Sequence, residues 1–396
     1  MRILYIHQYF KTPAEPGGTR SYWIAKALIE NGHDVTMLTS SDSQTTDFYM
    51  KTIDNIKVAS YAVKYNQSMS IKDRLKSFLG FMWHSSRYAL QHSKQYDVII
   101  ATSTPLTVGI PALLAKKIKK KKYLFEVRDL WPEVPIQMGA FKNPLLIKAM
   151  RLLEKKIYVN AEHVVALSPG MQDGVVQYID KSKTSMIPNM SKKDAFWIRK
   201  KDITLYPKLG LDPESFKVIH FGALGVANGA DYIIEAATLL KEDPSIEFVF
   251  VGGGATEDDL RAQCKIRELT NVKFLGRYPM DRTSEIVNLC DVSLVSFKNL
   301  PILYTNSPNK LFDSLSAGKP IIVNSAGWTK ELVETYRCGV YADPESPADL
   351  VLKIKALQGD SELLKKMGEQ SRWLAENVYD KSILAREFVN TFEKYV

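Results

Sequence analysis

Cysteine is scarce in this chain of 396 residues, and the three cysteines, Cys264, Cys290 and Cys338, are widely spaced with no CxxC pair. No group of histidine, cysteine and aspartate residues has the spacing of a metal site either. These absences argue against a disulfide framework and against structural zinc. We therefore expect a reduced protein that needs neither a metal nor another cofactor.

Long apolar runs are also missing, since the sequence contains no stretch of about eighteen apolar residues of the kind that crosses a bilayer. The opening residues, MRILYIH, lead directly into a strand-like run and leave no room for a signal peptide. We therefore expect a cytoplasmic protein that is neither exported by that route nor membrane-spanning.

The usual phosphate-binding signatures are absent as well. The sequence has no GxxxxGK[ST], no GxGxxG after its first strand-like run, and no Asp-x-Asp anywhere. The last absence argues against a diphosphate held through a metal ion. The charge of any bound diphosphate would instead have to be neutralised by a helix dipole and Lys310, with Arg277 or Arg128 in addition.

Basic residues are in excess, because 53 Lys and Arg stand against 44 Asp and Glu and give a net charge of +9. Six of the seven residues 116–122 are lysine, and residues 71–90 form a basic amphipathic pattern. The lysine run is either a solvated helix end or a patch for a membrane surface or nucleic acid. The amphipathic segment is either a helix packed on a sheet or one that lies in a membrane interface. No nucleic-acid recognition motif occurs, so we expect an anionic membrane surface as partner and no nucleic acid.

Short apolar runs alternate with helical patterns, which is typical of βα units and parallel sheets. The pattern restarts after a charged, irregular stretch, and it predicts an α/β protein with two doubly wound, Rossmann-like parallel-sheet domains facing across a cleft. We place the first domain at 1–195, a linker at 196–215, the second domain at 216–375 and a helix returning to the first domain at 376–396. The predicted strands are Ile3–Tyr9, Val35–Thr39, Lys57–Ala62, Val98–Ala101, Tyr123–Val127, Val164–Leu167, Val218–Phe221, Phe248–Val251, Val272–Leu275, Val292–Ser296, Ile321–Asn324 and Gly339–Ala342.

One segment, SPNKLFDSLSAGKP at residues 307–320, is more informative than any other. Ser307 is a favoured N-cap residue, Pro308 suits the first helical turn, and Gly318 suits the end of a helix. The segment therefore predicts a short helix with well-defined ends.

The start of this predicted helix has the features of a diphosphate site. Free N–H groups near Asn309 and Lys310 would lie at the positive end of the helix dipole. Lys310 would add a positive charge for phosphate, and Asp313, one turn further on, could accept hydrogen bonds from ribose hydroxyls. The alternative is an ordinary capped helix with a surface lysine.

Glycine-rich turns follow predicted strands in both halves of the chain. Gly17 and Gly18 come after the first strand, and Gly222, Gly225 and residues 252–254 follow strands of the second half. Such turns bring backbone N–H groups to the carboxyl ends of strands, where ligands bind in open α/β sheets. Each is alternatively just a tight βα turn.

Charged residues crowd the end of the strand that precedes Trp131. Glu126, Arg128, Asp129 and Glu133 all lie within a few positions of this aromatic side chain. Such a combination suits the recognition of a sugar or a phosphate. A structural cluster of salt bridges is the alternative.

Together these segments resemble the retaining glycosyltransferases of family 4, which have the GT-B fold. The resemblance extends over essentially the whole chain, from residues 17–18 through 221–222 and 274–278 to 307–320 and the terminal helix. More narrowly, the motifs RDLWPE and SPNKLFD are similar to those of the WbuB-like branch. That branch includes L-fucosamine transferases of O-antigen and capsule assembly.

The resemblance implies a UDP-sugar donor bound mainly by the second domain and an acceptor that enters over the first. Asp313 matches the second acid of the family's E-x7-E motif and would hold the ribose, whereas the first acid would fall at Thr305, which is not acidic. The family's Arg and Lys after the first strand of the second domain would fall near Ala223 and Asn228, both neutral. Lys310 would then carry more of the diphosphate charge than its counterpart in relatives.

The resemblance also assigns roles to other residues. Gly276, Arg277 and Tyr278 match a loop that contacts the base, and Arg128 lies about where many relatives have a histidine near the reacting sugar. The predicted site residues are Gly18, Arg128, Asp129 and Lys310 for catalysis; Gly17, Gly222, Gly225, Gly276, Arg277, Tyr278, Ser307, Asn309, Leu311 and Asp313 for the donor; and Trp131 and Glu133 for the acceptor.

The implied activity is the transfer, with retention, of an N-acetylated deoxy amino sugar such as L-FucNAc from UDP to a polyprenyl-diphosphate-linked sugar. We expect it on the inner face of the cytoplasmic membrane, in capsule, O-antigen or lipopolysaccharide assembly. A UDP-sugar 2-epimerase of similar fold and a non-enzymatic basic protein that binds nucleotide or lipid are the alternatives.

Overall fold

The computed structural model describes residues 1–15, 17–42, 46–66 and 69–396, with residue 71 described by its backbone alone. The chain forms two compact units. The first unit comprises Met1–Pro188, Thr305–Ser307 and Lys381–Val396, and the second comprises Asn189–Tyr304 and Pro308–Asp380. Among the described residues, no helix combines the length and the apolarity needed to cross a membrane.

Eight strands form one sheet in the first unit. They are β1 Arg2–Ile6, β2 Asp34–Ser41, β3 Phe48–Ile53, β4 Ile56–Ala62, β5 Val98–Thr102, β6 Lys122–Val127, β7 His163–Ala166 and β8 Thr184–Met186. Their order is β3-β4-β2-β1-β5-β6-β7-β8, and every neighbouring pair is parallel except β3 with β4. The central strands β1, β5, β6 and β7 are buried along nearly their whole length, as expected for a parallel sheet covered on both faces.

The described residues of this unit form seven helices: α1 Arg20–Glu30, α2 Ile71–Gln91, α3 Gly109–Lys119, α4 Glu133–Gln137, α5 Pro144–Asn160, α6 Pro169–Val176 and α15 Lys381–Tyr395. Short 3₁₀ turns lie at Ser93–Gln95, Leu106–Val108 and Lys181–Lys183. Right-handed crossovers place α2, α3 and α5 on one face, where α3 contacts both of the others. Helices α1 and α15 pack against each other on the opposite face.

The second unit has a six-stranded parallel sheet in the order β11-β10-β9-β12-β13-β14, built from β9 Phe216–Ala223, β10 Ile246–Gly253, β11 Val272–Gly276, β12 Val292–Val295, β13 Ile321–Val323 and β14 Gly339–Tyr341. Its helices are α7 Leu205–Leu209, α8 Asp231–Leu239, α9 Glu257–Ile266, α10 Met280–Leu289, α11 Asn309–Ser316, α12 Trp328–Thr335, α13 Pro347–Gln358 and α14 Ser361–Asn377, with 3₁₀ turns at Val226–Asn228 and Pro301–Thr305. One core lies under α8, α9 and α13, and another lies under α7 and α10.

All twelve strands predicted from the sequence are present, and the predicted α/β fold with two parallel-sheet domains is confirmed. The first strand ends at Ile6, three residues before the predicted end. Two strands were not predicted. The edge strand β3 is largely exposed and therefore has no apolar pattern, and β8 is only three residues long.

The stretch expected to be a linker, residues 196–215, is not a free connection. It contains α7, and Phe196, Leu205, Tyr206 and Leu211 belong to a core of the second unit. The boundary between the two units therefore falls at residues 188–189 rather than at 195. Burial of these apolar side chains explains why the stretch packs with the second unit.

The terminal helix α15 belongs to the first unit. Its Phe388 and Phe392 side chains are fully buried, and Glu393 lies 3.0 Å from His33. The Tyr395 ring stacks on His163 with ring centroids 3.8 Å apart. The chain therefore leaves the first unit after residue 188, contributes residues 305–307 to it, and returns to it for its last sixteen residues.

Helix α11, which was predicted within residues 307–320, begins one residue later than its sequence suggests. Pro308, not Ser307, occupies the N-cap position, and it makes no side-chain capping hydrogen bond. The other end is as predicted, because Gly318 follows the helix with a φ of +61°.

Each sheet reverses its direction of winding beside its first strand. In the first unit β1 lies between β2 and β5, and in the second unit β9 lies between β10 and β12. Ligands of open α/β sheets bind outside the carboxyl ends of the strands at such switch points. The residues that follow β1, β5 and β6, and those that follow β9 and β12, are therefore the candidates for function.

Two glycines pair across the strand ends of the second unit. Gly252 of β10 is in register with Gly222 of β9, and both have positive φ, +132° and +107°. A Cβ built on Gly252 would lie 1.8 Å from the Gly222 carbonyl oxygen. Only glycine therefore allows the two backbones to approach this closely at the switch point.

We predict that Gly252→Ala lowers the free energy of unfolding by about 2–4 kcal/mol, because it adds backbone strain to a steric overlap. Chemical denaturation would measure the change. Gly32→Ala is the matched control, since Gly32 also has positive φ, +81°, but a Cβ there meets nothing within 4 Å. Equal losses in the two variants would contradict the role given to close approach.

Candidate functional site

A lysine with only neutral partners lies at the switch point of the second unit. The Lys310 Nζ, on the first turn of α11, is 3.0 Å from His220 Nε2 and 3.2 Å from Asn228 Oδ1. Gly222 lies beside the same side chain, since a Cβ built there would be 3.8 Å from Lys310 Cε. Strand β9 and the 3₁₀ turn after it thus surround the ammonium group.

The contacts of His220 and Asn228 fix how each side chain is oriented. His220 Nδ1 is 3.2 Å from the Leu294 carbonyl oxygen, which only accepts, so Nδ1 carries the proton. Nε2 is then free to accept from Lys310. Likewise the Asn228 amide nitrogen donates to the Ala223 carbonyl oxygen at 2.8 Å, which leaves Oδ1 to accept.

This arrangement leaves the charge of Lys310 uncompensated. Within the described part of the chain, no carboxylate lies at ion-pair distance from its ammonium group. Burial lowers the pKa of Lys310 to about 7. Burial also lowers the pKa of His220 well below its ordinary value, with a further contribution from the Lys310 charge, so the imidazole is neutral. A half-buried cation held by neutral groups is a site where an anion gains free energy by binding.

Asp313, predicted to hold a ribose, is ion-paired. Its two carboxylate oxygens lie 2.9 Å and 3.2 Å from Lys192 Nζ, and both side chains are buried. Burial raises the pKa of Asp313, and the Lys192 charge opposes that rise. Lys192 also donates its backbone N–H to Ser316 Oγ at 3.1 Å. The segment around Lys192 therefore contacts α11 at Asp313 and at Ser316, which lie at the two ends of the second helical turn.

The remaining predicted donor residues are distributed around this cluster or apart from it. Gly225 accepts the Asn228 N–H at 2.9 Å and so belongs to the same turn. Ser307 and Asn309 flank the start of α11. Leu311 is fully buried and its N–H bonds the Pro308 carbonyl, so it offers a ligand neither its side chain nor that donor.

The predicted base-contacting loop follows β11. Gly276 has a φ of +81°, and Tyr278 packs against the core under α10. The side chains of Arg277 and Glu257 both approach Gly253, since a Cβ there would lie 2.7 Å from Arg277 Nε and 2.7 Å from Glu257 Oε2. Arg277 therefore lies near the end of β10, next to the strand that carries Gly222.

A second cluster lies at the switch point of the first unit. His7, directly after β1, is buried; its Nε2 is 3.1 Å from Arg128 Nη1 and its Nδ1 is 2.8 Å from Ser21 Oγ. Because a guanidinium only donates, Nε2 accepts and Nδ1–H points to Ser21. Burial lowers the pKa of His7 well below its ordinary value, and the Arg128 charge lowers it further.

Asp129 lies beside this histidine–arginine pair in sequence and faces the end of β5. Its carboxylate accepts from Thr104 Oγ1 at 2.8 Å, and the Arg128 N–H donates to Ser103 Oγ at 2.9 Å. Burial raises the pKa of Asp129, whereas the Thr104 hydrogen bond and the Arg128 charge lower it. The structure thus brings two predicted catalytic residues to one strand edge.

The other charges of this segment form ion pairs. Glu126 is fully buried and pairs with Arg20 at 2.7 Å. Glu133, predicted to bind acceptor, pairs with Arg151 at 2.7 Å. The Trp131 ring lies 5.9 Å from the Phe78 ring in an edge-on contact. The charged segment therefore divides into a salt-bridge part and a part with neutral partners.

The glycines predicted to contact the donor from the first unit lie in the segment before α1. Gly17 has a φ of +133°, and Gly18 precedes Thr19, the N-cap of α1. Both therefore follow β1 on the carboxyl side of the sheet, as the sequence predicts.

His7, His220 and Lys192 belong to these clusters but were not predicted from the sequence. His7 and His220 are polar residues at the end of, or within, the first strand of each sheet, and that position could have identified them. Lys192 gave no local signal, because it lies in an irregular segment far in sequence from Asp313. Within the described residues, no group of three or more His, Cys, Asp or Glu side chains is placed to hold a metal ion.

Two Rossmann-like parallel-sheet domains in one chain, each with polar groups at its switch point, are the architecture of GT-B enzymes. Residues 17–190 match the family model for the glycosyl transferase 4-like domain, and residues 202–373 match the model for glycosyl transferases group 1. The chain is therefore a glycosyltransferase of the GT-B fold, with a family 4-like domain followed by a group 1 domain.

The named relatives have low sequence identity to this chain but align with most of its length. The chain is 24% identical over 323 residues to WcaI of Escherichia coli K12, a protein named for colanic acid biosynthesis, covering 79% of this chain and 78% of that protein. It is 22% identical over 346 residues to the alpha-monoglucosyldiacylglycerol synthase of Streptococcus pneumoniae R6, covering 84% and 73%.

Solved structures show the same fold. Sucrose-phosphate synthase from Thermosynechococcus elongatus superposes with a TM-score of 0.80 at 16% identity, covering 99% of this chain and 98% of that one. HepE from Anabaena, in complex with UDP-glucose, gives a TM-score of 0.73 at 18% identity with full coverage of both chains.

We predict that Lys310→Met changes how stability depends on pH. Lys310 has a lowered folded pKa of about 7 against an ordinary 10.5, so between these pH values the unfolded chain binds a proton that the folded chain lacks. The free energy of unfolding of the natural protein should therefore rise with pH in this window relative to the variant, by at most about 1.4 kcal/mol per pH unit.

Chemical denaturation at several pH values from about 6 to 10 would test this expectation. Lys365→Met, at an exposed position on α14, is the control and should give a curve parallel to that of the natural protein. If the curve for Lys310→Met is also parallel to that of the natural protein, the Lys310 ammonium is not desolvated.

We also predict that Lys192→Met lowers the free energy of unfolding by about 3 kcal/mol near neutral pH, because it leaves the Asp313 carboxylate buried without its cation. The loss should shrink at acidic pH. Without Lys192, burial keeps the folded pKa of Asp313 above the unfolded value, so stability is lost as pH rises through that folded pKa. In Lys192→Met/Asp313→Asn most of the loss should disappear, and equal losses in the single and double variants would refute the pairing.

Proposed function

We propose that this glycosyltransferase transfers an N-acetylated deoxy amino sugar, such as L-FucNAc, from a UDP-sugar to a polyprenyl-diphosphate-linked sugar, with retention of the anomeric configuration. We assign it to the WbuB-like branch and to the assembly of capsule, O-antigen or related lipopolysaccharide. The reaction would take place on the inner face of the cytoplasmic membrane.

The observation that carries the donor part of this proposal is the Lys310 ammonium group. It lies on the first turn of α11, at the switch point, and its partners His220 and Asn228 are both neutral. A diphosphate would supply the missing negative charge, and the N-terminus of α11 would add the helix dipole. Charge that develops on the leaving diphosphate would be stabilised by the same groups, with no metal ion required.

The nucleoside would be bound by neighbouring parts of the second unit. Asp313 lies one turn after Lys310, and its ion pair with Lys192 favours the ionised carboxylate that accepts hydrogen bonds from ribose hydroxyls. Arg277, which lies near the end of β10, would contact the base together with the backbone of Gly276. Gly222 and Gly225 would allow the diphosphate to approach the backbone.

The acceptor would be bound by the first unit. His7 and Arg128 place a cation with a neutral partner at its switch point. Asp129 adds a carboxyl group that accepts a hydrogen bond from Thr104. We assign Gly18, Arg128 and Asp129 to the reacting centre and Trp131 and Glu133 to the acceptor sugar. In a front-face transfer the departing diphosphate itself takes the acceptor proton, so no side-chain base is needed.

Relatives support the substrate classes. WcaI and the Bacillus subtilis protein TuaH are named for the biosynthesis of colanic acid and teichuronic acid, and HepE was solved with UDP and with UDP-glucose. These names favour a nucleotide-sugar donor and a role in polysaccharide assembly. They favour sugar transfer over the epimerase alternative, since the matched families are transferases.

We predict that the full chain binds UDP in preference to GDP and ADP. Isothermal titration calorimetry would measure the three affinities. Lys310→Met and Asp313→Ala should each weaken UDP binding about tenfold or more, because each removes a charged partner of the nucleotide. Lys365→Met should bind as the natural protein does.

Absence of UDP binding by the natural protein, or unchanged binding by both site variants, would overturn the donor site. Where UDP binds, incubation with a panel of UDP-sugars and a polyprenyl-diphosphate-linked sugar identifies the donor. If the enzyme binds UDP but transfers sugar to no lipid-linked acceptor, the proposed acceptor class is wrong and the donor site is unaffected.

A further inference from the structure

Three adjacent helices of the first unit present apolar side chains to solvent among lysines. Helix α3 contacts α2 on one side and α5 on the other, so the three lie next to one another on one face of the sheet. We call α2, α3 and α5 together the basic helix layer. The sequence had drawn attention to α2 and to the lysines at the end of α3, but not to α5.

Helix α5 is the most exposed member of the layer. Leu145, Leu152 and Val159 are 77%, 52% and 48% exposed. They are spaced seven residues apart, which is two helical turns, so they lie along one side of the helix. These three side chains form an apolar stripe along α5, and the stripe is exposed to solvent in the first unit.

The charges of α5 are almost all positive. Lys148, Lys155 and Lys156 are exposed beside the apolar stripe, and Arg151 pairs with Glu133. The single acid of α5, Glu154, is buried, and burial raises its pKa to about 7. The exposed surface of α5, all of whose residues the structure describes, therefore has no negative charge.

The two neighbouring helices continue this pattern. In α2, Trp83 is 66% exposed and follows exposed Leu75 and Leu79 at intervals of four residues. In α3, which contains no acid, Ile118 is exposed between Lys117 and Lys119. Each helix of the layer thus exposes at least one large apolar residue close to lysine.

We propose that the basic helix layer docks this protein on an anionic lipid bilayer, with the apolar stripe of α5 inserted at the level of the head groups; this inference rests on the membrane location given in the proposed function. Lysines beside the stripe would contact lipid phosphates, and the leucines would leave water for the acyl boundary. Trp83 has the amphipathic ring that favours such an interface.

The exposed apolar residues decide between the two polyanions that a surface rich in lysine could bind. A nucleic-acid backbone attracts the lysines but offers isolated leucines no apolar phase to enter. A bilayer satisfies both kinds of side chain at once. Lipid binding through this layer should therefore depend on the lysines and on the leucines, and high salt should weaken it only in part.

Flotation of the full chain with phosphatidylcholine vesicles, with and without phosphatidylglycerol, tests the proposal. The natural protein should bind the mixed vesicles and bind phosphatidylcholine alone weakly. Both Lys148→Glu/Lys155→Glu/Lys156→Glu and Leu145→Ser/Leu152→Ser should weaken binding to mixed vesicles about tenfold or more. Trp83 fluorescence should shift to shorter wavelength when vesicles are added, and the shift should be lost in Trp83→Phe.

Matched controls come from exposed residues of the second unit. Lys355→Glu/Lys365→Glu/Lys366→Glu makes the same charge change, and Ile266→Ser/Leu352→Ser removes the same kind of exposed apolar side chain. Both controls should bind vesicles as the natural protein does. UDP titration of every variant separates loss of docking from loss of fold or donor site.

The proposal is overturned if the natural protein does not bind anionic vesicles, or if the α5 variants bind them as tightly as the controls do. It is also overturned if binding depends on the lysines alone and a short RNA duplex competes with the vesicles for the protein. That result would identify the layer as a nucleic-acid surface.

Discussion

The reversal of winding beside the first strand is the constraint on which both candidate sites depend. Because crossovers are right-handed, strands added in one direction place their helices on one face of the sheet, and strands added in the other direction place theirs on the opposite face. The loops therefore diverge where the direction reverses and leave a gap there. In this protein β1 and β9 border that gap. The loops that follow them therefore supply His7 in one unit and the turn with Asn228 in the other.

A neutral imidazole beside a cation is the common chemical device of the two units. Each histidine is held in one tautomer by one of its two contacts: the Arg128 guanidinium can only donate to His7 Nε2, and the Leu294 carbonyl can only accept from His220 Nδ1. In both histidines Nε2 therefore accepts from the cation. A carboxylate in the same place would cancel the charge. The imidazole instead orients the cation and leaves its charge available to an anion.

Much of the fold was predictable, because apolar runs, glycine turns and helix ends are local signals. All twelve predicted strands are present, and the end of α11 at Gly318 is as expected. What the sequence could not provide were contacts between residues distant along the chain. The pairing of Lys192 with Asp313 and the meeting of Asn228 with Lys310 depend on how segments pack, and the packing of residues 196–215 depends on a core assembled from several strands.

The return of the last helix to the first unit has a consequence for synthesis on the ribosome. The two buried phenylalanines of α15, with Glu393 and Tyr395, complete a surface whose other residues lie in the first 163 positions. A nascent chain emerges from its N-terminus. The second unit, contained between residues 189 and 380, has therefore emerged in full before the first unit can close. The first unit thus begins to be translated before the second but is completed after it, and a chain that stopped before α15 would expose apolar surface on the first unit.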